Sequence, residues 1–552
     1  MQFVSRFSGN VSGNLFGGIT AAIIALPLAL AFGIASGAGP VAGLYGAIVV
    51  GFFAAVFGGT PSQISGPTGP MTVVMTAMIA DMLGRFPEQG LALAFTAVML
   101  GGILQMLFGV LRLGKYIIMV PYPVISGFMT GIGVIIILLQ VGPLLGFDSA
   151  SSVIDAARAI PQQMQNLNGE AALLGVLTLA IVFLWRGRMN RMLPSPLLAV
   201  IVGTVGLQWL APESALARIG EIPSALPTLI MPTFDASVLN EILVNAIMLA
   251  VLGSIDSLLT SLVADNVTNT QHDSDRELIG QGIGNTLAGL VGGLPGAGAT
   301  MRTLVNVRAG GSGPLSGVVH ALILLAIAVG LGRYFEDIPL AVLAGLLIKV
   351  GIDIVDWPFL KRIHRLPRFP VFLMALVLVL TVFVDLITAV LIGVSIKNLV
   401  TLDKLSSLQL DGVVLSNGRD RHGELPHDEE AGLQAFNGRV LLLRIVGPLS
   451  YAVGRSLNER LSLYRDFDGV VIDLKDTAFV GISTTMLLEE FIRKTKARGA
   501  EVFLIGLSER NRQELAQLEI LNMVDKDHQK ATAAAAFSQL ARTLHPQDTR
   551  SA

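Results

Sequence analysis

The chain before about residue 400 is a succession of apolar runs separated by short polar stretches. Most runs have roughly 18 to 25 residues, which is enough for a helix to cross a bilayer. Two of the elements are short. The pattern predicts fourteen membrane elements, near residues 15–37, 40–58, 68–83, 90–111, 117–145, 171–185, 194–211, 238–263, 277–291, 300–307, 314–332, 337–352, 370–384 and 386–400.

These elements divide evenly into two groups, which predicts two repeats, about 15–211 and about 238–400. An odd number of elements in each repeat inserts the second copy upside down, as in inverted-repeat transporters. The predicted fold class is therefore an all-α polytopic membrane protein with a seven-plus-seven inverted repeat. We expect a membrane transport domain at 1–400, a linker at 401–436 and a small α/β domain at 437–552.

Two glycine- and proline-rich segments, Gly58–Thr72 and Gly292–Gly311, interrupt the apolar pattern. In each, a Gly-Gly pair, one residue, a proline and a run of small residues precede a threonine, Thr68 or Thr300. A helix that begins inside the membrane leaves its first N–H groups unpaired, and such an end binds anions. Matched interruptions in the two halves of a transporter mark its central site. The alternative is that both segments are only tight packing sites between helices.

The loop charges predict the orientation. Basic residues concentrate in the loops at 112–115, 186–191, 308 and 361–368, whereas the intervening loops are mostly acidic. The positive-inside rule then places both termini and the C-terminal domain in the cytoplasm, with the chain in the plasma (inner) membrane.

Composition narrows the class of protein. The 552 residues are 52% hydrophobic and 14% charged, with a mean hydropathy of +0.68, whereas soluble domains are near one quarter charged. The formal net charge of −2 argues against a nucleic-acid partner. No cysteine is present, and neither a nucleophile–base pair nor a metal-ligand cluster stands out, so an enzyme and an organic cofactor are not expected.

Asp256 lies deep in the apolar run 247–263, where a carboxylate is costly and normally faces a partner or water. Thr260 lies one helical turn further on the same face. Together with unwound carbonyls near Gly298, Ala299 and Thr300, these groups would form an oxygen cage for Na⁺. Asp256 could instead carry a proton.

A third interpretation of Asp256 is a structural ion pair with Arg302, which follows the start of the second half-helix by two residues. Arg302 could alternatively bind an oxyanion bidentately or extend to the membrane rim. Thr300 follows Thr68 by 232 residues, so the position that matches Asp256 in the first repeat is Ile24. A single acid in a duplicated framework predicts one coupling cation.

With these residues assembled, the chain resembles the SulP anion transporters, a family of sulfate permeases and bicarbonate transporters with a cytoplasmic STAS domain. Within it, the chain is most similar to the branch of Na⁺-coupled bicarbonate symporters. The motifs that carry the resemblance are GGITAAIIALPLALAFGIASGAGP at 17–40, ISGPTGPMTVV at 64–74, SIDSLLTSLVADNVTNTQHDSDRELIGQGIGN at 254–285 and VVIDLKDTAFVGISTTMLLEEF at 470–491.

This resemblance implies a homodimer, a bilayer environment and a STAS domain that binds a regulatory partner. It also implies two sets of site residues. The anion site would comprise Thr68, Gly69, Ala299, Thr300, Met301 and Arg302. The Na⁺ site would comprise Asp256, Thr260, Gly298, Ala299 and Thr300.

Arg302 departs from the small residue expected in the bicarbonate branch, since arginine there is typical of sulfate, dicarboxylate and chloride-type members. The leading hypothesis is a secondary active transporter that couples bicarbonate uptake to Na⁺ by alternating access. The alternatives are H⁺- or Na⁺-coupled uptake of sulfate or a fumarate-like dicarboxylate, and an uncoupled anion channel.

Overall fold

The computed structural model describes residues 10–544 except 118–119, 151, 186, 188, 191–192, 211–215, 223–228, 234–237, 385, 420, 423–424, 450–460, 462–463, 465 and 481. The basic residues of the predicted loop 186–191 lie outside these described residues. The chain forms two compact units, Met1–Val394 and Ser395–Ala552.

The first unit is mostly helical, and a helix coincides with each of the fourteen predicted apolar runs. The helices are α1 Val11–Ala35, α2 Pro40–Phe57, α3 Gly69–Arg85, α4 Gly90–Val110, α5 Tyr122–Leu144, α6 Val153–Gln165, α7 Gly169–Leu184, α8 Ser195–Leu210, α9 Leu239–Thr268, α10 Ser274–Leu290, α11 Thr300–Arg308, α12 Pro314–Gly330, α13 Leu340–Ile354, α14 Arg368–Phe383 and α15 Leu386–Asp411, which continues into the second unit.

The helices differ in whether they can span a bilayer alone. Among the described residues, five are long and apolar enough: α1, α2, α4, α5 and α9. Helices α6 and α7 are bent by 115° at their junction and together could form a sixth, broken span. Apart from α15, which has 26 residues, the remaining helices are shorter than the usual span, so the count of fourteen membrane elements stays a prediction.

Small residues let the helices of the first unit pack closely. One core joins α1, α2 and α12 through buried Ala25, Ala29, Ala47 and Leu324. A Cβ added to Gly43 would lie only 1.9 Å from the backbone oxygen of Ala29, so this position requires glycine. Close helix approach through small residues is characteristic of membrane proteins, where packing replaces the hydrophobic effect between helices.

Two short strands interrupt the helical architecture, so the expectation of an all-α membrane domain is wrong in this detail. Strand β1, Ser65–Pro67, pairs antiparallel with β2, Gly296–Gly298. Each strand belongs to one of the two glycine- and proline-rich segments. Their backbones can approach within the protein because small residues dominate both.

The second unit is an α/β layer around a six-stranded sheet in the order β10-β9-β7-β5-β3-β4. Strands β5, β7, β9 and β10 are parallel, whereas β3 is antiparallel to β5 and β4. Its elements are β3 Val413–Ser416, β4 Arg421–His422, α16 His427–Gln434, β5 Val440–Ile445, β6 Gly447–Leu449, β7 Gly469–Asp473, β8 Thr477–Val480, α17 Ile482–Ala497, β9 Glu501–Ile505, α18 Glu509–Gln517, β10 Gln529–Lys530 and α19 Ala533–Leu544.

Side chains of the central strands point alternately into two hydrophobic cores, one on each face of the sheet. Leu441 and Leu443 of β5 lie in one core, and Val440 and Leu442 lie in the other. Strand side chains point alternately to opposite faces, so a continuous apolar strand is buried on both sides. The apolar, strand-like runs of the sequence at 439–446, 469–474 and 501–506 coincide with β5, β7 and β9.

The segment 401–436, predicted as a linker, is structured. It holds the end of α15, the strands β3 and β4, and α16. Because β3 pairs with β5 from Val413 to Ser416, this segment is part of the sheet rather than a connector. The polar composition of 416–430 masked the short strand that precedes it.

Candidate functional site

The two interrupted segments meet in the first unit and form one backbone frame. In the β1–β2 pair, Ser65 lies opposite Gly298 and Pro67 lies opposite Gly296. Helix α3 begins two residues after β1 ends, and α11 begins two residues after β2 ends. Because the strands run in opposite directions, the helices that follow them leave the pair in opposite directions.

Both helices start without a side-chain cap. The residue before α3 is Thr68, in an extended conformation with no capping hydrogen bond, and the residue before α11 is Ala299, in a similar state. A helix N-terminus carries unpaired N–H groups and a partial positive charge. The frame therefore presents two partial positive ends where the segments meet.

Polar side chains of α11 hold the first segment in place. Arg302 Nη2 donates to the Pro67 carbonyl at 2.7 Å. Thr303 Oγ1 accepts from the Ile64 N–H at 3.1 Å, and Asn306 Nδ2 donates to the Ser62 carbonyl at 2.8 Å. Arg302, Thr303 and Asn306 are all buried. One face of the second half-helix thus satisfies backbone groups of the first segment.

Glu277 of α10 anchors the start of the first segment from another direction. Its Oε2 accepts from the N–H groups of Gly59 and Thr60 at 2.9 and 2.8 Å. Its Oε1 accepts from Gln63 Nε2 and Gln281 Nε2, both at 2.8 Å. Since all four contacts are donors, this buried carboxylate is satisfied in its ionised form.

A cavity of about 1240 Å³ opens beside the frame. Its wall follows α11 from Thr300 to Arg308 and includes Ile24 and Leu28 of α1. Of the predicted site residues, all but Thr260 line it: Thr68, Gly69, Asp256, Gly298, Ala299, Thr300, Met301 and Arg302. The structure therefore brings the predicted anion and cation residues to one cavity.

Among the residues that the structure describes, two polar groups at this cavity lack a well-formed hydrogen bond. They are Oδ2 of Asp256 and the hydroxyl of Thr68, and both residues are 8% exposed. The two side chains are neighbours without a well-formed hydrogen bond between them. Buried polar atoms are normally satisfied, so both groups are available to a ligand or to water.

Thr260 lies behind the cavity wall rather than in it. Its hydroxyl donates to the Gly298 carbonyl at 2.9 Å and contacts Thr300 Oγ1 at 2.8 Å. Ser257 Oγ accepts from the Gly298 N–H at 3.1 Å. The fully buried Thr260 therefore orients two other predicted ligands.

Arg302 neither forms the predicted ion pair with Asp256 nor extends to the membrane rim. Among the described residues no ion pair within 4 Å joins it to Asp256, and it is only 3% exposed, so it does not reach the rim. Its guanidinium instead spans the two segments while lining the cavity. A Cβ on Gly66 would lie 2.9 Å from Arg302 Nη1, which explains the glycine there.

Sequence reasoning missed two sets of charged residues near the frame, although the cost of intramembrane charge could have identified both. Glu277 lies within the quoted motif at 254–285 but was not singled out. Lys349 and Asp353 of α13 lie in or beside the apolar run 337–352 and line the same cavity.

Family models match both parts of the chain. The model of the sulfate permease family matches residues 11–377, and that of the STAS domain matches residues 435–536. A protein named bicarbonate transporter BicA from Synechocystis sp. (strain ATCC 27184 / PCC 6803 / Kazusa) is 44% identical over 512 residues, covering 93% of this chain and 91% of that protein.

Solved structures agree with this assignment. The transmembrane domain of a cyanobacterial bicarbonate transporter BicA matches with a TM-score of 0.66 and 51% identity, covering 70% of this chain and 98% of that structure. The structure of SLC26A9 matches with a TM-score of 0.81 over 99% of this chain and 92% of its own length, and at 16% identity it shows the fold alone. The chain therefore belongs to the sulfate permease family: it is a membrane anion transporter with a C-terminal STAS domain, and not an enzyme.

Proposed function

We propose that this protein takes up bicarbonate coupled to Na⁺ by alternating access. The observation that carries the proposal is the meeting, at a single cavity, of two uncapped helix starts and one buried carboxylate whose Oδ2 has no hydrogen-bond partner among the described residues. The helix ends attract an oxyanion, and the acid attracts a cation. The similarity to proteins named bicarbonate transporters supports this choice of anion.

The Na⁺ site would use oxygen ligands. The carboxylate of Asp256, the hydroxyl of Thr300 and the carbonyls of Gly298 and Ala299 are the hard donors that an alkali cation prefers, and Thr260 would hold Thr300 and Gly298 in position. A bound Na⁺ would offset the negative charge of Asp256 beside the anion. Each ligand would then tighten the binding of the other.

Alternating access would use the seven-plus-seven inverted repeat with fourteen membrane elements. The opposite directions of β1 and β2 support this symmetry. The cavity wall reaches Arg308, on the side that the loop charges assign to the cytoplasm. In this proposal, both termini are cytoplasmic in the plasma membrane, the membrane domain covers about 1–400, and the STAS domain supports a homodimer or binds a regulatory partner.

The proposal is tested by counterflow of labelled bicarbonate, sulfate and fumarate into proteoliposomes, each with and without Na⁺. We expect bicarbonate uptake that rises with Na⁺ and saturates. Uptake that is independent of Na⁺ and increases as the pH is lowered would instead indicate that Asp256 carries a coupling proton. Currents that follow the Nernst potential of one anion and ignore Na⁺ would identify a channel.

One observation favours a second candidate, coupled uptake of sulfate or a dicarboxylate. Arg302 adds a positive charge to the cavity wall, and a more highly charged anion gains more from that charge. Replacing Arg302→Gly should then shift preference towards monovalent anions in a competition assay. An unchanged substrate profile would mean that Arg302 has only a structural role, through its hydrogen bond to the Pro67 carbonyl.

A further inference from the structure

A second pair of charges lies in the cavity wall, on an element other than the two interrupted segments. Lys349 and Asp353, one turn apart on α13, both line the cavity. Their neighbours in the wall are apolar, including Leu346, Val350 and Ile354 of the same helix. Burying both charges in an apolar membrane helix is costly, so their position at the cavity calls for an explanation.

The pair is formed but remains accessible. Lys349 Nζ donates to both carboxylate oxygens of Asp353, and the two side chains are 23% and 34% exposed. An ammonium group has three donors, so one N–H remains beyond these two contacts. Nζ also lies 5.4 Å from the ring centre of Phe183, a position that stabilises a cation.

Arg302 and Lys349, two cations of the cavity wall, differ in their hydrogen-bond partners. Arg302 is buried and donates to the Pro67 carbonyl. Among the described residues, the hydrogen bonds of Lys349 go only to the Asp353 carboxylate, which is chemically like the oxyanions that the cavity would receive. An arriving carboxylate or bicarbonate can therefore exchange with Asp353 at Lys349, because the lysine keeps an anionic partner throughout.

We propose that Lys349 forms a second anion subsite in the cavity, with Asp353 as its exchangeable partner in the absence of the anion. The ligand class is a small oxyanion, and the inference rests on the proposed anion uptake. A cavity of about 1240 Å³ is far larger than one such anion, so it has room for a second anion-binding position in addition to the one at the helix ends. Lys349 raises the local anion concentration next to the helix ends.

The test compares Lys349→Gln and Asp353→Asn in the full-length protein, using Na⁺-driven uptake of labelled bicarbonate at low ionic strength. Loss of the ammonium should raise the apparent KM about three- to tenfold with little change in maximal rate, because only capture is affected. Removing the competing carboxylate should lower KM. The matched control is Lys494→Gln, which breaks an exposed pair of the same spacing with Glu490 in the second unit and should change neither parameter.

A Lys349→Gln protein with wild-type KM would overturn the subsite, as would a fall in maximal rate at constant KM, which marks a purely structural pair. Asp353→Asn decides the matter independently if Lys349→Gln does not fold, since a raised or unchanged KM contradicts exchange. Wild-type uptake is measured first. If the wild type moves no bicarbonate with Na⁺, the proposed function fails, whereas a working wild type with insensitive variants refutes only the subsite.

Discussion

The two glycine- and proline-rich segments have similar backbone conformations, but the residues around them differ in chemistry. Segments 58–72 and 292–308 each form a short strand and then an uncapped helix start, and their threonines, Thr68 and Thr300, both line the cavity. The elements beside them are not equivalent. Asp256 lines the cavity in the second half, whereas Ile24, the position that the sequence predicts as its match in the first half, is apolar and lines the same cavity.

The difference extends to how each segment is held. Side chains of the second half, on α10 and α11, hydrogen-bond the first segment at Gly59, Thr60 and Pro67. In the proposed function, the duplicated backbone provides two helix ends for one anion, and the unduplicated acid provides one cation position. Under that proposal, symmetry would supply the anion site, and its local loss would supply the coupling.

The largest effect is expected from removing the unduplicated acid. Asp256→Asn keeps the shape of the side chain but deletes the charge that would hold Na⁺, so Na⁺ stimulation of uptake should fall at least about tenfold, or roughly 1.4 kcal/mol. The measurement is the Na⁺ dependence of bicarbonate uptake in proteoliposomes.

Ile24→Asn is the matched control for that change, since it places the same amide at the position that the sequence predicts as the match of Asp256 in the first half. Na⁺ stimulation should persist there. An equal loss in both variants would mean that the two halves are not chemically distinct.

The next effect is on stability. Glu277→Gln replaces an acceptor of four hydrogen bonds with an amide that cannot satisfy all four donors. Leaving buried donors unsatisfied costs roughly 1–3 kcal/mol, so the melting temperature in detergent should fall. Asp275→Asn, which keeps an oxygen for its single contact with the Gly114 N–H, should be nearly neutral. A melting temperature equal to wild type in Glu277→Gln would refute the anchoring role.

The smallest effect is expected from the threonines at the two helix starts. Thr68→Val removes a hydroxyl that has no well-formed hydrogen bond to any described residue, so stability should be retained while anion affinity falls a few-fold. Thr300→Val also breaks the contact with Thr260, and should weaken Na⁺ binding as well. Titrating each ligand separately distinguishes the two, and identical profiles for both variants would contradict the asymmetry.

The features that could be predicted from the sequence are those that depend on residues close together in the chain. Apolar runs and glycine–proline interruptions are encoded within a few residues, so the helices and the two segments with Thr68 and Thr300 could be located. The pairing of β1 with β2 joins residues more than two hundred positions apart, and three-residue strands leave no periodic pattern. Glu277 and Lys349 were missed although the cost of intramembrane charge could have identified them, whereas the groups that their side chains contact are visible only in the packed structure.

The C-terminal unit shows the same limit. The apolar strands β5, β7 and β9 could be predicted from their composition, whereas β3 lies beside a polar stretch and gains its role from pairing with β5. The sheet therefore begins at Val413, before residue 437, where the α/β domain is predicted to start.

The most direct test is reciprocal binding to the purified wild-type protein. The affinity for bicarbonate is measured by calorimetry with and without saturating Na⁺, and the affinity for Na⁺ with and without bicarbonate. A shared cavity with one acid predicts that each ligand tightens the other by the same factor, and that Asp256→Asn abolishes this factor. Independent binding of the two ligands in the wild type would contradict the account.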